Sequence, residues 1–472
     1  MKAHFKILLL LLMFLPGIGL SAQDSIAAKA DSVMAATPST STASVEPTID
    51  SGDTAWMIVA TAFVLLMTIP GLALFYGGLV RRKNVINIMM QCFIITGMIT
   101  IEWVVVGYSM AFGSSEGWLK PFVGGFDWAF LKGIKISDLS PYFISHSQPT
   151  ADGGTIGTIP HIVFVLFQGM FAIITPALIV GAYAERIKFG GFALFTLLWA
   201  LFVYNPIAHW VWSGDGWLFK MGALDFAGGT VVHINAGIAA LVTAIMIGKR
   251  KYYEGHPTPP HNIPYVLIGA SLLWVGWFGF NAGSGLAADG LAASAFLVTH
   301  LATATAAFTW AALDWIFNKK PTLVGAATGA VAGLVAITPA AGFVNVTGAL
   351  LIGLLVPIFC YISLGIIKPR LGYDDSLDAF GVHGIGGIWG AIATGLFASP
   401  AIQAYQGLFY GNAGQLWIQI KAVLATLIYS AVVTFILFWI TDKLVGVRAS
   451  ESEESEGLDL SQHGETAYSK AD

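Results

Sequence analysis

Two histidines lie inside apolar segments of membrane-spanning length, and each follows an aspartate by eight residues. The first pair is Asp225 and His233, and the second pair, 150 residues further on, is Asp375 and His383. An ionisable side chain at bilayer depth is costly and therefore indicates function. Two neutral imidazoles can hydrogen-bond each other and offer a donor and an acceptor to a passing solute. We therefore expect a narrow, mostly apolar path that favours a small, neutral or transiently neutral solute.

The other ionisable groups in apolar segments give weaker signals. His300 lies in an alanine- and threonine-rich segment, where a structural hydrogen bond is the expected role. His161 and His209 lie near the expected outer ends of their segments, where water can reach them. Glu102 is an isolated acid within a span, and the sequence assigns it no role.

The two aspartates have two interpretations that the sequence leaves open. Asp225 precedes a predicted helix, so its carboxylate can cap the helix N-terminus. It can also orient a cation site indirectly, through backbone carbonyls. Asp375 has the same position before the second histidine segment and is interpreted in the same way.

Aromatic side chains cluster near the ends of several apolar segments. Phe167 and Phe171 are four residues apart and share one helical face, and Trp212 ends another segment. Phe280 and Ser284 lie in the sequence WFGFNAGS. Tryptophan at a membrane boundary usually anchors a helix, whereas aromatic rings beside a hydroxyl also suit a cation–π site. Spacing alone leaves both interpretations open.

The composition of the 472-residue chain limits its class. It is 56% hydrophobic and only 11% charged, whereas soluble domains carry about 25% charged residues. Its apolar runs are continuous rather than alternating, which favours helices over a β-barrel. The net charge of −4 gives no reason to expect nucleic acid. Cys92 and Cys360 lack metal-ligand spacing and are expected to be core thiols, so we expect no metal or cofactor.

The predicted fold is an all-α membrane protein with eleven transmembrane helices. The predicted spans are 54–79, 85–112, 158–182, 190–212, 228–248, 263–284, 290–316, 321–338, 343–367, 378–398 and 414–442.

Basic residues follow the odd-numbered spans, which predicts that those loops are cytoplasmic, the N-terminus outside and the C-terminus inside. The clusters are 81–83, Arg186 with Lys188, 249–251, 319–320, and Lys368 with Arg370. Spans one to five and six to ten then form an inverted five-helix repeat, followed by a final helix. Asp225 and Asp375 start at opposite faces, and each histidine lies about 12 Å further in. Such repeats meet at the midplane, which would bring the histidines together.

Four regions follow from this reading. Residues 1–22 have the charged start and apolar core of a signal peptide, and 23–52 are predicted to be a flexible exported segment. Residues 53–445 form the transmembrane domain. Residues 446–472 are polar and acidic, and two interpretations stay open for them: a disordered tail or a docking element.

These residues resemble the ammonium transporter family, the Amt/Mep/Rh group, over nearly all of 54–470, and the bacterial Amt branch fits best. The matching segments are DTAWMIVATAFVLLMTIPGLALFYGGLVRRKNV, IITPALIVGAYAERIKF, PIAHWVW, GALDFAGGTVVHINAG, WFGFNAGS, FGVHGIGG and GLDLSQHGETAY. The stretch 23–52 carries no family motif, the loop 113–157 matches poorly, and His300 matches no family role.

The resemblance implies a trimer of identical subunits in the inner membrane, with one pore in each subunit. It implies an outer site for ammonium, or methylammonium as its analogue, built by Phe167, Phe171, Trp212 and Ser284. Phe171 and Phe280 would close the outer mouth, and His233 and His383 would line the pore, with Asp225 structuring the site above. It also implies a cytoplasmic regulatory tail, where PII-type signal proteins dock in many members.

The sequence leaves rival functions open. One is a channel for neutral gas, against which the intact aromatic and Ser284 set argues, because a gas needs no cation cage. Another is an ammonium sensor that signals through a separate protein. An enzyme is not expected, because the sequence contains no nucleophile–base set or metal cluster.

Overall fold

The computed structural model describes residues 46–251, 253 and 259–468. The predicted signal peptide, 1–22, and most of the predicted exported segment, 23–52, lie outside this part. Residues 46–50 are extended, and the first helix begins at Ser51, three residues before the predicted start.

Helices dominate the described chain. Ten are long and apolar enough to cross a membrane, and a shorter apolar helix corresponds to the span predicted at 321–338. In chain order the helices are α1 Ser51–Leu79, α2 Arg82–Phe112, α3 His161–Ile179, α4 Phe189–Met221, α5 Gly229–Ile247, α6 Ile263–Gly283, α7 Gly290–Asn318, α8 Leu323–Ile337, α9 Val346–Leu371, α10 Phe380–Phe397, α11 Ala413–Val445, α12 Glu451–Glu456 and α13 Leu458–His463.

Polar side chains define where many of these helices begin. The side chain before the first helical residue accepts a hydrogen bond from a backbone N–H of the first turn, which satisfies a group that the helix leaves unpaired. These capping residues are Asp50, Asn262, Asp289, Thr322 and Asn345. Ser450 and Glu453 add a reciprocal capping box at α12.

The two ends of the helical bundle differ in their side chains. We call the end that carries Phe167, Trp212 and Ser284 the aromatic end. The opposite end carries Arg81, Arg186 and Arg250, and we call it the basic end.

The long loop between α2 and α3 covers part of the aromatic end. It contains short 3-10 turns at Gly117–Leu119 and Ala129–Leu131 and a two-stranded antiparallel hairpin, β1 Ser147–Pro149 and β2 Thr155–Gly157. Ser147 pairs with Gly157 and Pro149 with Thr155. A further 3-10 turn, Leu408–Tyr410, precedes α11.

The buried core runs through the whole bundle, and both histidine segments lie within it. His233 and His383 each occupy a wide, π-type helical turn, at Gly229–Ile234 and Phe380–Gly384. Such turns are rare, and they occur frequently at functional sites. The sequence gives no comparable signal for them, because hydrophobic periodicity does not distinguish a wide turn from an ordinary one.

Candidate functional site

The two histidines predicted to meet do so at the centre of the bundle. Their ring centroids are 5.4 Å apart and the ring planes differ by 18°. The His233 ring also stacks on Trp277 at 5.3 Å, and its centroid lies 6.1 Å from that of Phe280. Both histidines are buried, at 1% and 4% exposure. The pair therefore forms one end of a row of rings that also contains Trp277 and Phe280.

The sequence allowed the two imidazoles to hydrogen-bond each other, and the structure corrects this expectation. The two ring planes are nearly parallel, but no hydrogen bond joins the two imidazoles. Within the described residues, both ring nitrogens of His233 and Nδ1 of His383 have no hydrogen-bond partner in the protein. Buried polar atoms are normally paired, so these nitrogens are available to a molecule that passes along the row.

A narrow cavity runs beside the histidine pair. Its walls are otherwise apolar and include Leu178, Trp277, Phe280 and Val331. The space open to the centre of a water-sized molecule is about 10 Å³. A single small molecule needs about that much room, so the cavity suits a solute of the size of water or ammonia.

Both aspartates cap the helical segments of their histidines, as one of the two interpretations predicted. The Asp225 carboxylate accepts hydrogen bonds from the backbone N–H groups of Gly228, Gly229, Thr230 and Val231 at 2.6–3.2 Å, and from the Thr230 hydroxyl. The Asp375 carboxylate accepts from the N–H groups of Ala379 and Phe380, at 3.1 and 2.8 Å. These bonds fix the turn that carries each histidine.

The main chain of Asp225 also contacts the aromatic residues, and its predicted orientation of a cation site through backbone carbonyls stays a prediction. The backbone oxygen of Asp225 accepts a 2.9 Å hydrogen bond from the indole nitrogen of Trp212. Asp225 therefore holds the histidine helix with its side chain and the Trp212 ring with its main chain.

Two glycines let the histidine segments approach each other. Gly237 and Gly387 each lie four residues after their histidine. A Cβ on Gly237 would lie 2.2 Å from the backbone nitrogen of Gly384, and one on Gly387 would lie 3.0 Å from both the Cβ of His233 and the backbone nitrogen of Ile234. Each glycine thus packs against the histidine turn of the other segment, and small residues are what close membrane-helix packing requires.

The predicted aromatic residues meet above the histidine row, at the aromatic end. The ring centroids of Phe171 and Phe280 are 4.2 Å apart, and Phe171 contacts Phe167 at 5.0 Å and Trp212 at 5.7 Å. The Ser284 hydroxyl, at the end of α6, donates to the backbone oxygen of Phe280 at 2.8 Å. The hydroxyl oxygen keeps acceptor capacity, and rings with an adjacent acceptor are what an ammonium-sized cation needs.

Two other histidines were predicted to be solvated, and this prediction is wrong. His161 is 4% exposed, and its Nε2 lies 2.5 Å from the Tyr108 hydroxyl. His209 is fully buried, and its ring nitrogens contact the backbone oxygens of Ala111 and Lys120 at 3.0 and 2.8 Å. The loop between α2 and α3 folds over these positions, a long-range contact that local sequence does not reveal.

His300 and Glu102 stand apart from the histidine row. The His300 ring is exposed and lies against Trp274 and Phe278, and within the described residues it makes no hydrogen bond, contrary to the expected structural one. Glu102 accepts a 2.7 Å hydrogen bond from the Asn205 amide. This contact joins α2 to α4 and gives Glu102 a structural role that the sequence did not predict.

The basic end is a closed network of ion pairs. Buried Asp374 binds the guanidinium of Arg250 at 2.9 Å, and Glu185 binds Arg81 at 2.7 Å and Arg250 at 3.4 Å. Burial alone would raise the pKa of Asp374, but its hydrogen bond to Arg250 and the positive charges of Arg186 and Arg250 hold that pKa below its usual value. The network fixes the loops that join the helices at this end.

The C-terminal residues are folded against this network up to residue 468, so the disordered interpretation is wrong for this part of the chain, and the docking interpretation stays a prediction. The Arg448 guanidinium pairs with Glu454 at 2.8 Å and also donates to the backbone oxygens of Ile247 and Lys249. The Asp459 carboxylate accepts a hydrogen bond from the backbone of Asn87 at 2.8 Å. The tail therefore contacts the first turns of α2, the end of α5 and the loop that follows α5.

The sequence reading missed a polar cluster beside the aromatic residues. Asp53, in the first turn of α1, is 2% exposed and accepts hydrogen bonds from the backbone of Ala288, the Thr158 hydroxyl and the ring of His146. The residues of this cluster come from three separate segments of the chain, so no local sequence motif predicts it.

The comparisons with known proteins agree with this arrangement. The family model for the Ammonium Transporter Family matches residues 55–468. The chain belongs to the ammonium transporter family. The ammonium transporter of Bacillus subtilis is 49% identical over 419 residues, which cover 88% of this chain and 98% of that protein. Transporter function and a multi-pass helical membrane fold follow for the ammonium transporter described here.

Solved structures of the family superpose closely on it. Candida albicans Mep2 is 34% identical with a TM-score of 0.78, and the match covers 89% of this chain and 91% of that one. A sensor Amt protein is 29% identical with a TM-score of 0.78, over 87% of this chain and 98% of its own.

Proposed function

We propose that this transporter recruits ammonium as a cation at the aromatic end and moves it past His233 and His383 as ammonia. The observation that carries the proposal is the stacked histidine pair beside a cavity with room for one small molecule. Phe167, Phe171, Trp212 and Ser284 form the recruitment site, and Phe171 with Phe280 forms the gate between site and pore.

The energetics of the cavity require the proton to leave. A bare ammonium ion in a dry apolar pore would carry a Born penalty on the order of tens of kcal/mol before compensation. Ammonia carries no charge, so most of that penalty disappears when the cation is deprotonated near the gate. The free histidine nitrogens then exchange hydrogen bonds with each ammonia as it passes.

The proton crosses separately, by the histidine pair and transient water, so transport is electrogenic. Both histidines line the narrow cavity, and the ring nitrogens of His233 and Nδ1 of His383 are unpaired there. Each ammonium that enters gives one ammonia and one proton, and both reach the far side, where they recombine. Charge and nitrogen are therefore conserved across the pore.

The orientation that we propose places the aromatic end outside and the basic end in the cytoplasm. The clusters around Arg81, Arg186 and Arg250 lie at one end, as the positive-inside rule expects for cytoplasmic loops. The shorter helix α8 then completes an eleven-span bundle of two inverted five-helix units and a final helix. Matched capping of α5 and α10 by Asp225 and Asp375 supports this repeat.

We also propose the assembly that the family resemblance implied: a homotrimer in the inner membrane, surrounded by lipid. The folded tail, from Gly446 onward, is the proposed cytoplasmic regulatory element. A PII-type protein docking there would contact α12 and α13 and the loops beneath them. A solved family structure is a sensor Amt protein, so sensing through such a partner is the second candidate function.

Solid-supported-membrane electrophysiology tests the proposal. Purified protein in liposomes is pulsed with ammonium and then with methylammonium, and a saturable current is expected. The double variant Trp212→Leu with Ser284→Leu should lose it, whereas Trp417→Leu, which removes an exposed tryptophan of α11, should retain it. No current, with rapid internal alkalinisation by ammonia, would instead identify an electroneutral gas channel.

A further inference from the structure

His146 lies beside the short loop that carries Ser284, although it comes from a distant part of the chain. Its Nδ1 is 2.9 Å from a carboxylate oxygen of Asp53, and its Nε2 is 3.8 Å from a carboxylate oxygen of Asp289. Asp53 is at the start of α1, and Asp289 caps α7. The imidazole therefore bridges the beginnings of two helices.

Both carboxylates act at one end of the Ser284 loop, residues 284–289, where it joins α7. The second oxygen of Asp53 accepts a 2.8 Å hydrogen bond from the backbone N–H of Ala288. Asp289, the last residue of the loop, accepts from the N–H of Ala292 at 2.9 Å. The other end of the loop is Ser284 itself, whose N–H bonds to the Asn281 oxygen. Ser284 and the two carboxylates therefore lie at opposite ends of one six-residue loop.

The hairpin that follows His146 fixes where the imidazole lies. β1 begins at Ser147, and Gln148 exchanges two hydrogen bonds with Thr48, at 2.9 and 2.6 Å. The backbone of Asp50 donates to Thr158, just after β2. These contacts pin the hairpin to the residues that precede α1, so the His146 ring is directed at Asp53 by a folded element.

We infer that His146, when protonated, acts as a positioning residue that clamps the Ser284 loop through Asp53 and Asp289 and so tightens cation recruitment. The inference rests on the proposed recruitment site. Cation recruitment then depends on the outer pH through a residue of the loop between α2 and α3, and not through a residue of the pore.

The charges around His146 give the direction of this dependence. The charged groups that face it are Asp50 and Asp53 before and in α1, and Asp289 before α7. The hydrogen bond to Asp53 raises the pKa of His146, partial burial lowers it, and the charges of the three carboxylates raise it further, so the net shift is upward. The clamp is therefore complete below the ordinary histidine pKa and is lost as the pH rises through the raised value.

The test is the half-saturating methylammonium concentration of the current, measured at an outer pH of about 6 and about 8. Methylammonium stays protonated at both values, so substrate speciation does not change. For the parent protein we expect a concentration about two- to fivefold lower at the lower pH, the range of a half-exposed ion pair. His146→Gln should show the weaker, high-pH value throughout, and His146→Lys, with a permanent charge, the tighter value throughout.

A matched control separates this effect from other histidines. His300→Gln removes an exposed histidine that contacts aromatic rings instead of carboxylates, and it should keep the pH dependence of the parent. Equal pH dependence in the parent and His146→Gln would overturn the inference while the saturable current itself persists. Failure of the proposed function is a separate result, because then the parent gives no saturable current at either pH.

Discussion

The two aspartate–histidine segments have the same backbone arrangement, but the backbone oxygens of their aspartates bind different groups. In both, a carboxylate caps a wide turn that carries the histidine, and a glycine four residues later packs against the other segment. The backbone oxygen of Asp225 holds the indole of Trp212, whereas that of Asp375 accepts a 2.7 Å hydrogen bond from the ammonium of Lys368. The first backbone oxygen therefore holds an aromatic ring, and the second binds the ammonium group of a lysine.

In the proposed function, this difference gives the two ends of the pore different roles, although the two aspartate–histidine segments have the same backbone arrangement. Within the part of the chain that the structure describes, no lysine or arginine lies over the rings at the aromatic end, and in the proposed function ammonium is the cation that these rings contact. At the other end the Lys368 ammonium also binds the Asp378 carboxylate at 2.5 Å. In the proposed function, the ammonia that arrives at this end meets the Lys368 ammonium, whose charge Asp378 already neutralises.

The largest effect is expected where the two segments touch. Gly237→Ala places a methyl group 2.2 Å from the backbone of Gly384, which cannot give way as a flexible side chain would. We expect a loss of about 3 kcal/mol or more, seen as a large drop in the melting temperature in detergent. Gly387→Ala meets its nearest atoms at 3.0 Å and should cost less, and Gly290→Ala, which meets nothing within 4 Å, should be neutral. Equal losses at Gly237 and Gly387 would contradict the packing described.

Removing the Asp225 charge should be the next largest effect. Asp225→Asn replaces one acceptor oxygen by a donor that faces the backbone N–H groups of the capped turn. Leaving such buried groups unpaired costs about 1–3 kcal/mol, and the ammonium current should fall with the stability. Asp375→Asn disturbs two N–H groups and should reduce both quantities less. Melting temperature and ammonium current are measured for both variants. A larger loss in Asp375→Asn than in Asp225→Asn would show that the number of hydrogen bonds does not determine the importance of each cap.

The pH dependence of stability separates the two caps further. Burial raises the pKa of Asp375 to about 6, and the charge of Lys368 only partly offsets this. The folded chain therefore keeps a proton that the unfolded chain releases, and stability falls as the pH rises from about 4, the ordinary aspartate value, to about 6. Melting curves should show this fall in the parent and a flatter profile in Asp375→Asn. Parallel profiles would refute the assignment.

The smallest effect concerns the indole hydrogen bond alone. Trp212→Phe keeps an aromatic ring but removes the donor to the Asp225 oxygen. A neutral hydrogen bond contributes about 1 kcal/mol, so the half-saturating ammonium concentration should rise about fivefold while the maximal current stays close to the parent value. A loss of maximal current instead would place Trp212 in the conduction step.

Residue type and spacing were enough to find the centre of the site. The repeated aspartate–histidine interval predicted that His233 and His383 meet, because buried ionisable groups are rare in apolar helices and a repeat explains two of them. The nearly parallel rings and the missing hydrogen bond between them could not be predicted, since they depend on wide turns and on contacts between residues about 150 positions apart. The environments of His161 and His146 were missed for a related reason: the loop between α2 and α3 has no periodicity from which its folding could be inferred.

The most direct measurement records the current and the internal pH together, in the same liposomes, for the parent and for His233→Asp. The account predicts that the variant loses the ammonium current while internal alkalinisation by ammonia persists, because the carboxylate interrupts the histidine route for the proton but leaves a path for the neutral molecule. An ammonium current of unchanged size in His233→Asp would contradict the claim that the proton crosses by the histidine pair.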